Sequence, residues 1–187
     1  QKNLTLSEPY WLSGGRLKFE TLDATFIKVE TDQGVTGWGE GTPWGHTYLP
    51  AHGPGIRSGL QTLAPALLSE NPCQSNRIEY VMDKALPGHL YVKAPIDMAC
   101  LDIHGQISGE SLPNLLGGSF DVPTRVMSSI STGSPESMVA LIEKYRALGY
   151  RGHSVKVGGS NTDPDIARVK AIEQDRREDE RILYDVN

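Results

Sequence analysis

The sequence predicts an α+β capping domain followed by the first three β/α units of a TIM-like (β/α)-barrel, truncated before the barrel closes. Three observations predict it. The first third alternates apolar and polar residues with the period of strands, and the middle carries apolar stripes at helical spacing. After Pro123 the rhythm changes to strand, helix, strand, helix, strand.

Ala24-Thr25-Phe26-Ile27-Lys28-Val29-Glu30 alternates as a strand, and Asp32-Gln33-Gly34 supplies a turn. Val35-Thr36-Gly37-Trp38-Gly39-Glu40 returns as its hairpin partner. The stretch from Gly41 to Gly55 is rich in Gly, Pro, His and aromatics and lacks apolar periodicity. It reads as a long loop, and long loops in compact domains often carry function. Ile56, Leu60, Leu63 and Leu67 mark a helix that Pro65 is expected to kink or divide. Ile96, Ala99, Cys100, Ile103 and Ile107 mark a second helix, ending before Gly109. Leu112 to Gly118 reads as a boundary loop, which puts the capping domain at 1–118 and the barrel domain at 119–187.

Beyond the boundary, Val126 to Ser131 reads as the first barrel strand. Ser134 is an N-cap with Pro135 at the first helical position, before Met138, Leu141, Ile142, Tyr145 and Leu148 on one face; Gly149 closes that helix. His153 to Val157 is the second strand. Asp163-Pro164 caps a helix bearing Ile166, Val169 and Ile172, and Arg181 to Val186 is the third strand. Alternating β/α units imply parallel strands with helical crossovers. A closed eight-stranded barrel needs about 250 residues, so this chain of 187 residues stops in mid-architecture. It also starts at Gln1 rather than Met. Both features lead us to expect a piece of a longer protein.

Composition narrows the function. Hydrophobic residues at 38% and charged ones at 22% describe an ordinary globular protein. A net charge of -5, with no Lys/Arg stripe, argues against nucleic acid. No apolar run approaches the roughly 18 residues of a membrane span, and no signal peptide opens the chain. Cys73 and Cys100 sit far apart without a C-x-x-C, which fits reduced thiols in a cytoplasmic protein.

In β/α barrels the working residues cluster at the C-terminal ends of strands. On the second strand, period 2 puts Ser154 and Lys156 on one face and Val155 and Val157 on the other. On the third, Leu183, Asp185 and Asn187 share a face, with Asp185 at the strand's end. A carboxylate there suits Mg²⁺, which takes one or two protein carboxylates plus substrate oxygens. Spacing alone leaves open that Lys156 is a solvated charge and that Asp185 caps a helix or closes a turn.

These segments carry a resemblance. His153-Ser154-Val155-Lys156-Val157-Gly158-Gly159 resembles the K-x-K segment of the muconate-lactonizing subgroup of the enolase superfamily. Leu183-Tyr184-Asp185-Val186-Asn187 resembles that family's third barrel strand. Upstream, Asp97 to Gly105, Leu112 to Gly118 and Gly37-Trp38-Gly39-Glu40 look like its capping-domain signatures. The resemblance implies that Lys156 is a proton-transfer base and Asp185 the first ligand of a magnesium ion. The first K-x-K position is Ser154 here, so two-lysine chemistry does not carry over; the Ser154 hydroxyl is instead expected to bind the substrate carboxylate or orient the lysine amine.

Within the superfamily, Trp38 to Tyr48, Pro50-Ala51-His52 and Pro87-Gly88-His89-Leu90-Tyr91 resemble a set that acts on proline derivatives. The likeness implies Mg²⁺-dependent abstraction of the proton alpha to a carboxylate, with dehydration of cis-3-hydroxy-L-proline as the expected outcome. The alternative is racemisation or epimerisation of an amino acid or proline betaine. An alternative of another class is a non-catalytic capping or oligomerisation fragment, since the sequence supplies one base and one metal ligand only. Two segments of the capping domain, Glu8 to Gly15 and Pro43 to Gly55, are expected to form the specificity loops. Trp11, Trp44, His46 and Tyr48 on them are the expected substrate contacts, the aromatics able to pack on a ring or a cationic amine. His46 and His52 fit no zinc spacing, and Gly53-Pro54-Gly55 follows a loop rather than a strand, so it is not a dinucleotide fingerprint. The expected partners are a small carboxylate substrate and further copies of the chain in a homo-oligomer, with neither nucleic acid nor membrane.

Overall fold

The computed structural model describes residues 1–12, 17–118, 122–158 and 162–186. In order, the elements are β1 (Lys2–Leu12), β2 (Leu17–Glu30), β3 (Thr36–Gly41), α1 (Gly53–Leu67), α2 (Ser75–Ala85), α3 (Leu90–Ser108) and α4 (Leu112–Leu115). Then come β4 (Ser128–Ile130), α5 (Pro135–Ala147), β5 (Gly152–Lys156), α6 (Thr162–Asp175) and β6 (Arg181–Asp185). They form one sheet of order β1-β2-β3 and another of order β4-β5-β6. The chain divides into two compact units. One comprises Gln1–Thr5 with Thr21–Phe120, the other Leu6–Glu20 with Asp121–Asn187.

In the first unit, β2 and β3 pair antiparallel, with Thr25 opposite Gly41 and Glu30 opposite Thr36. The turn between them passes through Gly34 at φ +80°, a conformation glycine adopts without steric cost. Period 2 puts Gly37, Gly39 and Gly41 on one face of β3, and that face receives α3 at backbone distance. A methyl group at Gly37 would strike the carbonyl oxygen of Ala99, and one at Gly39 the carbonyl oxygen of Pro95. The helix also satisfies the open edge of β3. The Trp38 backbone N–H donates to Asp102 Oδ2 at 2.9 Å, and Gln106 Nε2 donates to the Thr36 carbonyl at 2.8 Å. Ile27, Leu63, Ile78, Met82, Val92, Ile96 and Cys100 make the core beneath. Both cysteines are free thiols, and burial pushes that of Cys100 up to about 11.

In the second unit, β4, β5 and β6 are parallel, with α5 and α6 as the crossovers. Ser134 caps α5 by accepting from the Ser137 N–H at 3.2 Å, and Gly149 leaves the helix at φ +93°. Ile130, Met138, Ile142, Val155, Val157 and Ile172 form the core of this unit.

The two sheets and their helices match the fold class expected from the sequence. Several details differ. Glu8 to Leu12 lie in strand β1 rather than in a loop; residues 13–15 of that segment, with Gly159 and Asn187, fall outside the described residues. Pro65 does not divide α1, because it stands in the last turn, where few hydrogen bonds follow it. Helix α2 leaves little periodic trace in the sequence, since SNRIEYVMDKA buries only Ile78 and Met82. Leu112–Leu115 is a short helix capped by Ser111. The first barrel strand is shorter than expected, with Val126 at 65% exposure. Asp163 and Pro164 lie inside the first turn of α6. Ile107, Leu148 and Ile166 are exposed rather than packed, and Leu148 lies just past the end of α5. Among the described residues no helix is long and apolar enough to cross a membrane.

Candidate active site

The register of the parallel sheet sets Lys156, the last residue of β5, beside Asp185, the last residue of β6. Lys156 Nζ lies 2.7 Å from Asp185 Oδ2. The lysine is 8% exposed, whereas the Asp185 side chain is 32% exposed. One member of the pair is therefore shielded and the other is reachable.

Alternation along β5 explains the placement. Val155 and Val157 point into the helix-covered core, which turns the half-buried Ser154 and the buried Lys156 to the opposite face. On β6, Ile182 and Tyr184 pack against the same core, which turns Leu183 and Asp185 the other way. The strand exits are pinned. Val157 N–H donates to the Asp185 carbonyl at 3.0 Å. Gly158, at φ +92°, donates its N–H to Asp165 Oδ2 at 3.0 Å, and Arg168 joins Asp165 to the Gly133 carbonyl, with both contacts at 2.7 Å.

Beneath the pair lies a buried polar cluster that the sequence did not reveal. His153 is fully buried, with Nδ1 2.6 Å from Ser128 Oγ and Nε2 3.6 Å from Glu180 Oε1. Glu180 accepts from Arg146 Nε at 2.5 Å, from Arg146 Nη2 at 2.8 Å and from the Arg177 N–H at 3.0 Å. Arg146 also bridges to Glu143 and Asp175. Hydrogen bonds from Arg146 hold the Glu180 carboxyl down at about 2. Burial pushes His153 below its ordinary value of 6.5, against the opposing pull of Glu180. The signal for this cluster was His153 itself, a polar residue on the face that alternation gives to Val155 and Val157.

The remaining expected site residues are placed as follows. Trp44, His46 and Tyr48 stand on the segment between β3 and α1 in the first unit, Trp44 half-buried and the other two exposed. Trp11 belongs to the second unit, where Lys18 Nζ lies over its ring at 5.5 Å. His52 caps α1, its Nδ1 accepting from the Gly55 N–H at 3.1 Å. Among the described residues, no group of three or more His, Cys, Asp or Glu side chains is placed to hold a metal ion. Asp185 offers one hard oxygen donor set at a strand end, which fits a share in a magnesium site rather than a complete one.

Residues 3–117 match the mandelate racemase / muconate lactonizing enzyme N-terminal domain. The chain belongs to this family. Within it, the chain is 41% identical over 177 residues to a cis-3-hydroxy-L-proline dehydratase of Roseibium aggregatum, covering 95% of this chain and 47% of that protein. It is 31% identical over 184 residues to an N-succinyl-L-Arg/Lys racemase of Bacillus cereus, covering 98% and 49%. Among solved structures, a member of the enolase superfamily from Roseovarius nubinhibens ISM, complexed with magnesium, aligns with a TM-score of 0.89 and 54% identity. That alignment covers 98% of this chain and 49% of the other. The chain spans about half the length of these relatives.

Proposed function

We propose that the protein abstracts the proton alpha to a carboxylate with the help of Mg²⁺, and that its reaction is the dehydration of cis-3-hydroxy-L-proline to 1-pyrroline-2-carboxylate. The observation that carries this reading is the Lys156–Asp185 pair at the ends of adjacent parallel strands. The dehydratase relative, 41% identical, supports the choice of substrate.

Asp185 would supply one carboxylate to the metal, and the remaining donors would come from outside the described residues. When bound, Mg²⁺ would act as a Lewis acid on the substrate carboxylate, where negative charge develops. Lys156 would take the alpha proton on Nζ while the C–H electron pair spreads toward the carboxylate; metal-plus-lysine sites are one established solution to that charge problem. Shielding of Lys156 keeps bulk water from competing for the same proton. Ser154, two residues earlier on the same face, would hydrogen-bond the substrate carboxylate or orient the amine. The β-hydroxyl then departs as hydroxide, which solvent protonates to water, and the resulting enamine tautomerises to the imine product.

A second reading, epimerisation or racemisation of an amino acid or betaine, draws support from the racemase relative, 31% identical. It shares the first step and differs in reprotonation from the opposite face. Incubating the complete protein with proline derivatives in D₂O with Mg²⁺ separates the two. Loss of water from cis-3-hydroxy-L-proline is expected; alpha exchange with inversion and no loss of water would favour the epimerase. No exchange on any member of the panel would sink both.

A further inference from the structure

We infer that Tyr10 determines substrate specificity at this site, through a hydroxyl pair with Ser129. The inference deepens the proposed reaction and rests on it. Tyr10 lies on β1, within Leu6–Glu20, the segment that groups with the parallel sheet in the second unit. Its phenol hydrogen-bonds the Ser129 hydroxyl, in a contact spanning 119 residues of sequence.

Ser129 is not an arbitrary anchor. In the sheet it pairs with Ser154, while Ser128 and Ile130 on either side of it are buried. Alternation therefore turns Ser129 to the opposite face of β4, the face on which β5 carries Ser154 and Lys156 and β6 carries Asp185. A strand spacing of about 4.8 Å and a rise of about 3.3 Å per residue put the Ser129 and Lys156 backbones roughly 8 Å apart on the diagonal. A small amino acid fills such a gap. With its alpha proton at Lys156, a hydroxyl on the neighbouring carbon would face the Tyr10–Ser129 pair.

The chemistry of that pair selects the ligand. Two hydroxyls, each able to donate and to accept, suit an oxygen substituent and offer nothing specific to a methylene. A hydroxylated substrate gains a hydrogen bond from this pair that an analogue lacking the hydroxyl does not. The phenol and Ser129 satisfy each other when the site is vacant, so neither is stranded before substrate arrives.

The test uses the complete protein, with Tyr10→Phe, Ser129→Ala and the double variant. Steady-state dehydration of cis-3-hydroxy-L-proline and alpha-proton exchange on L-proline are both measured. Tyr10→Phe keeps the ring and removes only the hydroxyl, so its fold, checked by circular dichroism, is retained. The expected result is a rise in KM for the hydroxylated substrate of about tenfold, the size of one hydrogen bond. Both kcat and exchange on L-proline should stay within about twofold, and the double variant should be no worse than the worse single. A packing role would not split KM from kcat, nor one substrate from the other. Unchanged KM in Tyr10→Phe, or equal losses on both substrates, overturns the inference and leaves the reaction standing. A wild-type protein inactive on both substrates overturns the reaction and the inference together.

Discussion

Lys156 Nζ and Asp185 Oδ2 are 2.7 Å apart although 29 residues separate them in sequence. Parallel pairing of β5 with β6 brings them together, with Lys156 and Asp185 as register partners. An ammonium and a metal cation would compete for the same carboxylate oxygens, so a cation held by Asp185 would free the Lys156 amine to lose its proton and serve as the proposed base.

The proposed reaction predicts metal dependence. In the complete protein, Asp185→Asn should lose Mg²⁺-stimulated turnover by more than about 100-fold, the upper end of what losing an outer-shell partner typically costs. Calorimetric titration should show weakened Mg²⁺ binding in parallel. Full activity and unchanged binding in Asp185→Asn would remove this residue from the metal site.

The cluster under the strands predicts an acid limit to stability. Hydrogen bonds from Arg146 hold Glu180 at about 2 in the folded chain, against an ordinary 4.5. A depressed carboxyl stabilises the fold above about 4.5, and that stabilisation is lost as pH falls toward about 2. His153 acts in the same direction. Its buried ring resists the proton that the unfolded chain accepts below about 6.5. Glu180→Gln should cost about 3 kcal/mol at pH 7, because Arg146 then keeps a buried charge with a weaker partner. Urea unfolding at pH 7 and pH 3 should show the gap between wild type and variant narrowing in acid; an equal gap at both would refute the assignment.

The glycine face of β3 makes a sharper contrast. Gly39→Ala pushes a methyl into the Pro95 carbonyl and should destabilise by at least about 3 kcal/mol. Gly34→Ala meets open space and bears only the left-handed backbone strain at φ +80°, about 1–2 kcal/mol. Melting temperatures of the two variants rank them, and a reversed order would show that α3 does not rest on β3 as described.

The β2–β3 hairpin, α3 and the β/α rhythm after Pro123 were legible because each buries one regular face, and such faces leave a period in the sequence. Helix α2 left almost none, with two buried residues. Lys156 and Asp185 were legible as strand-end residues, and alternation on β5 and β6 agrees with the faces assigned to them. Their pairing was not, since register is set by the cores under both strands. The Arg146–Glu180–His153 cluster stayed hidden for a related reason. Its members come from α5, from the segment before β6 and from β5, and none follows a local pattern. Tyr10 lies in a segment whose sequence suggests a loop, yet β1 carries it as strand into contact with Ser129.

In the proposed reaction Lys156 removes a proton alpha to a carboxylate. The most direct measurement is proton NMR of cis-3-hydroxy-L-proline incubated in D₂O with Mg²⁺ and the complete protein, wild type against Lys156→Ala, followed through the alpha-proton signal. Lys156→Ala, with an unchanged circular dichroism spectrum, should lower turnover and alpha exchange by about 10²–10⁴-fold, the range for a lost general base. Turnover and exchange at the wild-type rate in Lys156→Ala would contradict it.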